Sequence, residues 1–585
     1  MAFIAGYVGQ KINSSALGER VNAFQIMSGD ESSAFDISVT ETPSGHFISK
    51  YKKNYPIKPS LVKNTSGNVE LTLGFKSPGG DESEGEFVSL VADKTGRIQM
   101  MNDRFATRPF YILKADDYVY FSSNIAFLLR LAGRKYEPDI EGWLQVFTVG
   151  HTIGTRTTFK NIKKLGPATR MTISPNGAIE EKEYWRVRHE PLDVDPDSHA
   201  EAVFEAFKAG MSWRTRLVEG GVLALSGGLD SRLVAATAPR ERFSAYTFVT
   251  GSEISREARV ATEVANALGL DHSVRKIPVA MYSDVADDVV RLTGGQRPLH
   301  HMAIVMAYMQ ELRRTGMNFL MGGGPGDLIA GSHVPSADYL DPSRTDACIR
   351  RRCQHLLRRF SHLGLLFGES ALKEHKHKVE KSLAESFEEI EGVTAAHKAT
   401  AWDMRNRWPN FTFTSLIHNH SDATEAFAHT DYRFCDLMLK LPAQWLYKRN
   451  FYSHMIYHCI PQLRHVIYAN TGSLLEGRIK HFTPNRPITE TIKDFLPTDL
   501  MRKLRGPNKG ARGGHYLTYI NDGRLISEVE EVLRGLPRSG TVLDVDKCLK
   551  FVGQFRDDRL PLSYHMQGEL IGSLISLCLS HKNLG

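Results

Sequence analysis

The densest chemistry in the chain lies in Val222-Leu223-Ala224-Leu225-Ser226-Gly227-Gly228-Leu229-Asp230-Ser231-Arg232-Leu233. An apolar, strand-like run leads into Ser-Gly-Gly-x-Asp-Ser, and Leu233-Val234-Ala235-Ala236 then opens a helix. This order predicts an anion cradle. Glycines let backbone N–H groups close on phosphate oxygens, and the helix N-terminus adds the positive end of its dipole. Ser226 and Ser231 bring further hydroxyl donors. Asp230 would repel a phosphate, so its presence calls for Mg²⁺ between the two. The chain has no Gly-Lys-Ser/Thr, so γ-phosphoryl transfer by a Walker loop is not expected.

A second loop has the same make-up. Leu320-Met321-Gly322-Gly323-Gly324-Pro325-Gly326-Asp327 reads as strand, glycine turn, acid. Two distant aspartates, each closing a glycine loop, can hold Mg²⁺ on opposite sides of a pyrophosphate. Asp230 and Asp327 are therefore the expected metal ligands and catalytic residues. Ser226, Gly227, Gly228, Ser231, Gly322 and Gly323 are the expected phosphate contacts. Between the loops, residues 245–250 form another strand-like run, followed by Glu257-Ala258-Arg259-Val260-Ala261. In a parallel α/β fold the C-terminal ends of strands border the ligand crevice, which would set Leu225 and Val249 beside the bound ligand.

The elements that must position these loops follow from texture along the chain. The first 185 residues or so alternate short apolar runs with turn clusters such as Ser77-Pro78-Gly79-Gly80-Asp81, which predicts packed antiparallel sheets. A polar stretch with two prolines, 188–198, reads as a linker. Beyond it Val203, Phe207 and Met211 recur every four residues, marking a helix, and strands alternate with helices as in a parallel α/β sheet. The expected division is 1–187, a 188–198 linker and 199–585. The basic glycine-rich run 505–514 reads as a solvated loop or a lid.

Composition sets outer bounds. At 585 residues the chain holds several domains, and 42% hydrophobic with 24% charged residues is ordinary globular usage. A net charge of +7 on this length does not call for nucleic acid. All six cysteines lie at or beyond Cys348. No run of about 18 apolar residues occurs, so no membrane span is expected. With no basic region at the opening to suggest a signal peptide, a cytoplasmic location is the expectation.

The Ser226–Ser231 run resembles the PP-loop of ATP pyrophosphatases, which cleave ATP between the α- and β-phosphates. Further segments resemble the asparagine synthetase superfamily, an N-terminal Ntn-type glutaminase domain joined to a PP-loop synthetase domain. Asn102-Asp103-Arg104-Phe105-Ala106-Thr107-Arg108-Pro109-Phe110-Tyr111 is similar to its Arg-Asp-Arg-Phe-Gly-x-x-Pro-Leu-Tyr element. Thr158–Ala168 resembles its strand before the linker, and His429-Thr430-Asp431-Tyr432-Arg433-Phe434 with Leu441-Pro442 resembles Phe-Leu-Asp-x-Arg-Phe…Leu-Pro. The resemblance implies ATP, Mg²⁺, a carboxylate activated as an acyl-adenylate, and amine attack to form an amide. The implied fold class is α/β: an antiparallel β-sandwich followed by a parallel sheet with many helices.

Departures from the family refine this expectation. The family's glutaminase nucleophile is an N-terminal cysteine; here position 2 is Ala2, which implies an inactive glutaminase-like domain. Relatives lacking that cysteine include β-lactam synthetase, carbapenam synthetase and lasso-peptide macrolactam cyclases, which use an amine on the substrate itself. Where β-lactam synthetases carry tyrosine and asparagine synthetases glutamate, this chain has Gly324, expected to leave room for a bulky substrate. The family's Lys-x-Gly-Phe segment aligns with Tyr468-Ala469-Asn470-Thr471-Gly472, without the lysine; Lys448 and Lys480 are candidate substitutes. The expected function is macrolactam formation on a ribosomal peptide, with a precursor peptide and a leader protease as partners. The aromatics Trp402, Trp408, Phe411 and Phe413 are core or groove residues, and would line such a peptide's groove. Ammonia-dependent asparagine synthesis, a β-lactam-type small-molecule ligase and a non-catalytic relic are the alternatives. His418-Asn419-His420, the His375/His377 pair and the Cys348/Cys353 pair lack the context of metal sites.

Overall fold

The computed structural model describes residues 2–22, 35–64, 67–81, 83–249, 255–277, 281–415, 423–482, 523–537 and 543–585. The run 505–514 and His418-Asn419-His420 lie outside them. Two six-stranded antiparallel sheets form the N-terminal part. One is ordered 162–164, 111–115, 118–122, 2–8, 45–52, 35–42; the other 179–183, 169–173, 98–102, 85–92, 69–76, 60–63. Alternation along Ala2–Val8 explains how they stack. Ala2, Ile4 and Val8 face the second sheet with Leu71, Val88 and Met100, while Phe3, Ala5 and Tyr7 join a core with the helices behind.

The expected linker is docked onto its neighbours. Glu190 and Leu192 donate backbone hydrogen bonds to the carbonyls of Leu439 and Lys440, both 3.0 Å. Its last three residues already belong to the Pro196–Thr215 helix, because the Asp195 side chain caps Ser198 N–H at 2.9 Å and Pro196 sits in the first turn.

The second part is built on a five-stranded, wholly parallel sheet in the order His272–Lys276, Phe243–Val249, Gly221–Ala224, Phe319–Met321, Thr424–Ala426. In chain order this is 3-2-1-4-5, a doubly wound sheet. Connections leave in opposite directions between its first and fourth strands, which opens a crevice at their C-terminal ends. Both glycine loops emerge there.

Candidate active site

The first loop is braced by its own serines. Ser226 N–H donates to Ser231 Oγ at 3.1 Å, Gly228 N–H donates to Ser226 Oγ at 3.1 Å, and Ser231 Oγ donates to the Ser226 carbonyl at 3.0 Å. The hydroxyls thus shape the cradle as well as offering donors. Buried Arg232, one turn into the following helix, hydrogen-bonds the carbonyls of Gly227, Val466 and Ile467. It clamps the Tyr468–Gly472 turn on the loop so closely that a Cβ on Gly227 would lie 2.3 Å from Ala469 Cβ.

The second loop packs directly against the first. A Cβ on Gly323 would stand 3.0 Å from Asp230 Cβ, and one on Gly326 would stand 2.7 Å from Asp230 Oδ1. Asp230 and Asp327 therefore meet. Burial, and next the charge of Asp230, push the Asp327 carboxyl up, while Arg449 opposes this. Asp327 also accepts from Ser332 Oγ at 3.2 Å.

A group that the sequence reading missed completes the site. The Arg449 guanidinium hydrogen-bonds Asp230 Oδ1. Lys448 and Arg449 both have positive φ, 56° and 57°, a conformation costly for side chains with a Cβ and concentrated at functional sites. Despite burial, Asp230 holds the Arg449 pKa above its ordinary value. The neighbouring lysine, a sequence candidate, instead lies over the Tyr447 and Phe482 rings, at 5.2 and 5.4 Å. Lys480 pairs with Glu476 at 2.6 Å. The basic pair ahead of the Asn450–Cys459 helix was the only sequence signal for Arg449; its left-handed backbone was not legible. His429, whose Nε2 is 2.8 Å from Tyr452 Oη, also borders Asp230; burial lowers its pKa to about 4, so its ring is neutral at pH 7.

A cavity of about 330 Å³ opens beside the loops. Leu225, Ser226, Asp230, Ser231, Gly323 and Gly324 line it, together with Thr247, Phe248 and Tyr308. Phe248 and Tyr308 stack with centroids 4.4 Å apart, forming an apolar wall suited to a flat base. Val249 does not line it. Its carbonyl accepts from Ile277 N–H at 3.0 Å, continuing the ladder past the cavity, and Phe248 takes the expected place. Gly227, Gly228 and Gly322 are not among its lining residues.

Two expectations are corrected. Gly324, at φ 36°, does not leave its side-chain direction open: a Cβ would lie 2.3 Å from the buried Phe427 ring. The aromatic run does not form a groove either. Trp402 at the end of the Ala395–Trp402 helix, Trp408 within the π-helical stretch 403–412 and Phe413 just after it are all buried in one core cluster. Phe411, partly buried, instead carries the guanidiniums of Arg297 and Arg407, 3.5 and 4.1 Å from its ring centre.

Residues 215–451 match the family model of asparagine synthase, and residues 78–185 that of the glutamine amidotransferase domain. Asparagine synthetase [glutamine-hydrolyzing] 1 of Bacillus subtilis (strain 168) is 26% identical over 280 residues, 46% of this chain and 44% of that protein. Asparagine synthetase [glutamine-hydrolyzing] of Cricetulus griseus is 25% identical over 242 residues, 36% and 39% of the two chains. The chain thus spans less than half the length of these curated relatives. Among solved structures, glutamine-dependent NAD+ synthetase from Acinetobacter baumannii in complex with ADP aligns over 47% of this chain and 61% of its own, at 12% identity and a TM-score of 0.18.

Proposed function

We propose that this chain, which carries an asparagine synthase domain behind a glutamine amidotransferase-type domain, is an ATP-dependent carbon–nitrogen ligase. In this reading a substrate carboxylate attacks the α-phosphorus of ATP, pyrophosphate leaves, and an amine then displaces AMP from the acyl-adenylate to form an amide. The carrying observation is the meeting of both glycine loops, Asp230, Asp327 and Arg449 at the switch point of the sheet, beside a cavity with an aromatic wall. The loop N–H groups and the Leu229–Thr237 helix terminus receive the phosphates. Leu225, Phe248 and Tyr308 hold the base. Arg449 faces the charge that develops on the leaving pyrophosphate, where a fixed cation in a closed site contributes most. The neighbouring carboxylates of Asp230 and Asp327 fit Mg²⁺, a hard cation that takes oxygen ligands and, when bound, neutralises pyrophosphate charge.

The proposed domains are 1–187, the 188–198 connection and 199–585, the first without glutaminase activity. No cysteine precedes Cys348, and Ala2 packs its methyl between the two sheets. The amine then comes from free ammonia or from the substrate.

For the substrate, one observation favours a small acidic carboxylate. Asp403 is engaged by Arg352 and His333, at 2.8 and 2.9 Å, and Glu569 by Arg359 and His301, at 3.0 and 3.1 Å. Arg297 and Arg407 over Phe411 form no ion pair among the described residues, and Arg407 lies within electrostatic reach of Asp403 first and Asp327 next. Arg407, with Arg297 beside it on the Phe411 ring, suits an anionic tail. Macrolactam closure of a ribosomal peptide, with its precursor and leader protease, is the second reading. It rests on Ala2 and the precedent of cysteine-less relatives.

Pyrophosphate exchange into ATP, measured with dicarboxylates, amino acids and candidate precursor peptides, tests both readings, and ³¹P NMR identifies the products. AMP and pyrophosphate formed with one substrate class select it. ADP and phosphate sink the ligase reading, and absence of exchange with every class supports the relic.

A further inference from the structure

His454 and His458 lie one turn apart on the Asn450–Cys459 helix, with ring centroids 4.3 Å apart. Asp197, in the first turn of the Pro196–Thr215 helix, faces both. Its Oδ1 is 2.9 Å from His454 Nε2 and 4.0 Å from His458 Nε2, and one ligand atom from each of the three residues lies within 4.8 Å of the others. Ligand atoms on a tetrahedral zinc at about 2.0–2.2 Å stand roughly 3.4 Å apart, a separation that fits within the span of this cluster.

Two further features separate this cluster from an ordinary ion pair. His454 is buried, yet neither ring nitrogen is hydrogen-bonded among the described residues, so the Asp197 oxygen meets it off the N–H···O direction. Ligands of one cation approach each other in that way, lone pair beside lone pair. Second, the Gly477 carbonyl accepts from His458 Nε2 at 2.6 Å and fixes that ring, an outer partner that leaves Nδ1 as the nitrogen for a metal. Asp195 reaches His454 electrostatically, and Glu201 and Glu205 reach the adjacent Cys459, so the surroundings favour a cation. The Asp197 side chain is 65% exposed, which leaves an entry path from solvent.

We propose that Asp197, His454 and His458 form a binding site for a divalent transition metal of the zinc type, with solvent completing its coordination. The site joins the helix that follows the interdomain connection to the helix whose first residue follows Arg449. A bound ion ties these helices together and braces the left-handed Lys448–Arg449 pair above Asp230.

The experiment is calorimetric titration of the EDTA-treated full chain with zinc chloride, paired with thermal melts. One saturable equivalent should bind to this site and raise the melting temperature, as any ligand of the native state does. Asp197→Asn and His458→Ala alter exposed or half-exposed side chains; each should weaken that equivalent at least tenfold and abolish its thermal shift. Zinc should also protect His454 and His458 from acylation by diethylpyrocarbonate, read by mass spectrometry, which needs no variant. Absence of a saturable equivalent, an affinity unchanged in both variants, or protection that falls on other histidines overturns the proposal.

Discussion

Asp230 and Asp327 sit close enough for one carboxylate to hinder ionisation of the other, and Arg449 occupies the oxygen of Asp230 between them. Two acids and one strained arginine converging on a phosphate cradle make sense only if their charges are used. Asp230→Asn and Asp327→Asn should each lower the rate of AMP formation by about 10³-fold or more, since each removes charge compensation worth several kcal/mol in a closed site. Arg449→Gln should cost about 10²–10³-fold in kcat, the usual effect of losing one fixed donor at a developing charge. Lys448→Gln should stay within about threefold of wild type, because Lys448 points to Tyr447 and Phe482. Steady-state kinetics on the four variants separates the two basic residues. Equal losses at 448 and 449 would remove Arg449 from the site.

At the scale of elements, close approach of backbones sets the shape of the crevice. The second glycine loop can turn beneath Phe427 only because residue 324 lacks a Cβ and adopts a positive φ. Gly324→Ala should therefore impair adenylation by about tenfold or more, through displacement of the loop that carries Asp327. Adding Phe427→Ala removes the ring that the new methyl meets. The double variant should recover part of the activity despite the cavity it creates, a non-additivity expected of residues in contact. Exchange assays on both single variants and the pair provide the cycle, and strict additivity would show that Phe427 does not set this loop.

At the scale of the molecule, two buried groups from the N-terminal sheets hold the synthetase domain. Glu86, fully buried, accepts from Arg214 Nε at 2.8 Å and from Phe427 N–H at 2.9 Å, and lies 3.4 Å from Arg108. It thereby fixes the very phenylalanine that packs on Gly324. Glu86→Ala leaves Arg108 without its carboxylate and Arg214 with Asp431 alone, and should destabilise the fold by about 3–5 kcal/mol, visible as a lower urea midpoint. Lys164 crosses the same interface. It donates to the Pro409 carbonyl, Asn410 Oδ1 and Thr414 Oγ1 at 3.2, 2.9 and 3.0 Å, with no carboxylate among these partners. Burial lowers its pKa to about 7. Between that value and the ordinary lysine range the unfolded chain binds a proton that the folded chain does not, so stability from this group rises with pH across the window. Melts of wild type against Lys164→Met from pH 7 to 9 should show the wild type gaining relative to the variant. A constant difference would mean that Lys164 titrates normally.

Much of this protein was legible in its residues because the chemistry is local. Ser226 to Ser231 spell a cradle through glycine freedom and a helix start, and Leu320 to Asp327 repeat the pattern. Short apolar runs between turn clusters announced antiparallel sheets before residue 185, and strands alternating with helices announced a parallel sheet after 198. None of that information reaches across the chain. The closeness of Asp230 and Asp327 depends on the 3-2-1-4-5 strand order. The placement of Arg449 depends on a left-handed turn that no propensity favours. The filling of the Gly324 space by Phe427, and the burial of Trp402 against Phe387 and of Trp408 against Phe105, depend on packing between segments about 100, 15 and 300 residues apart in sequence, respectively. Residue types and spacing determined which groups could do chemistry here; long-range burial and backbone pairing decided which of them meet.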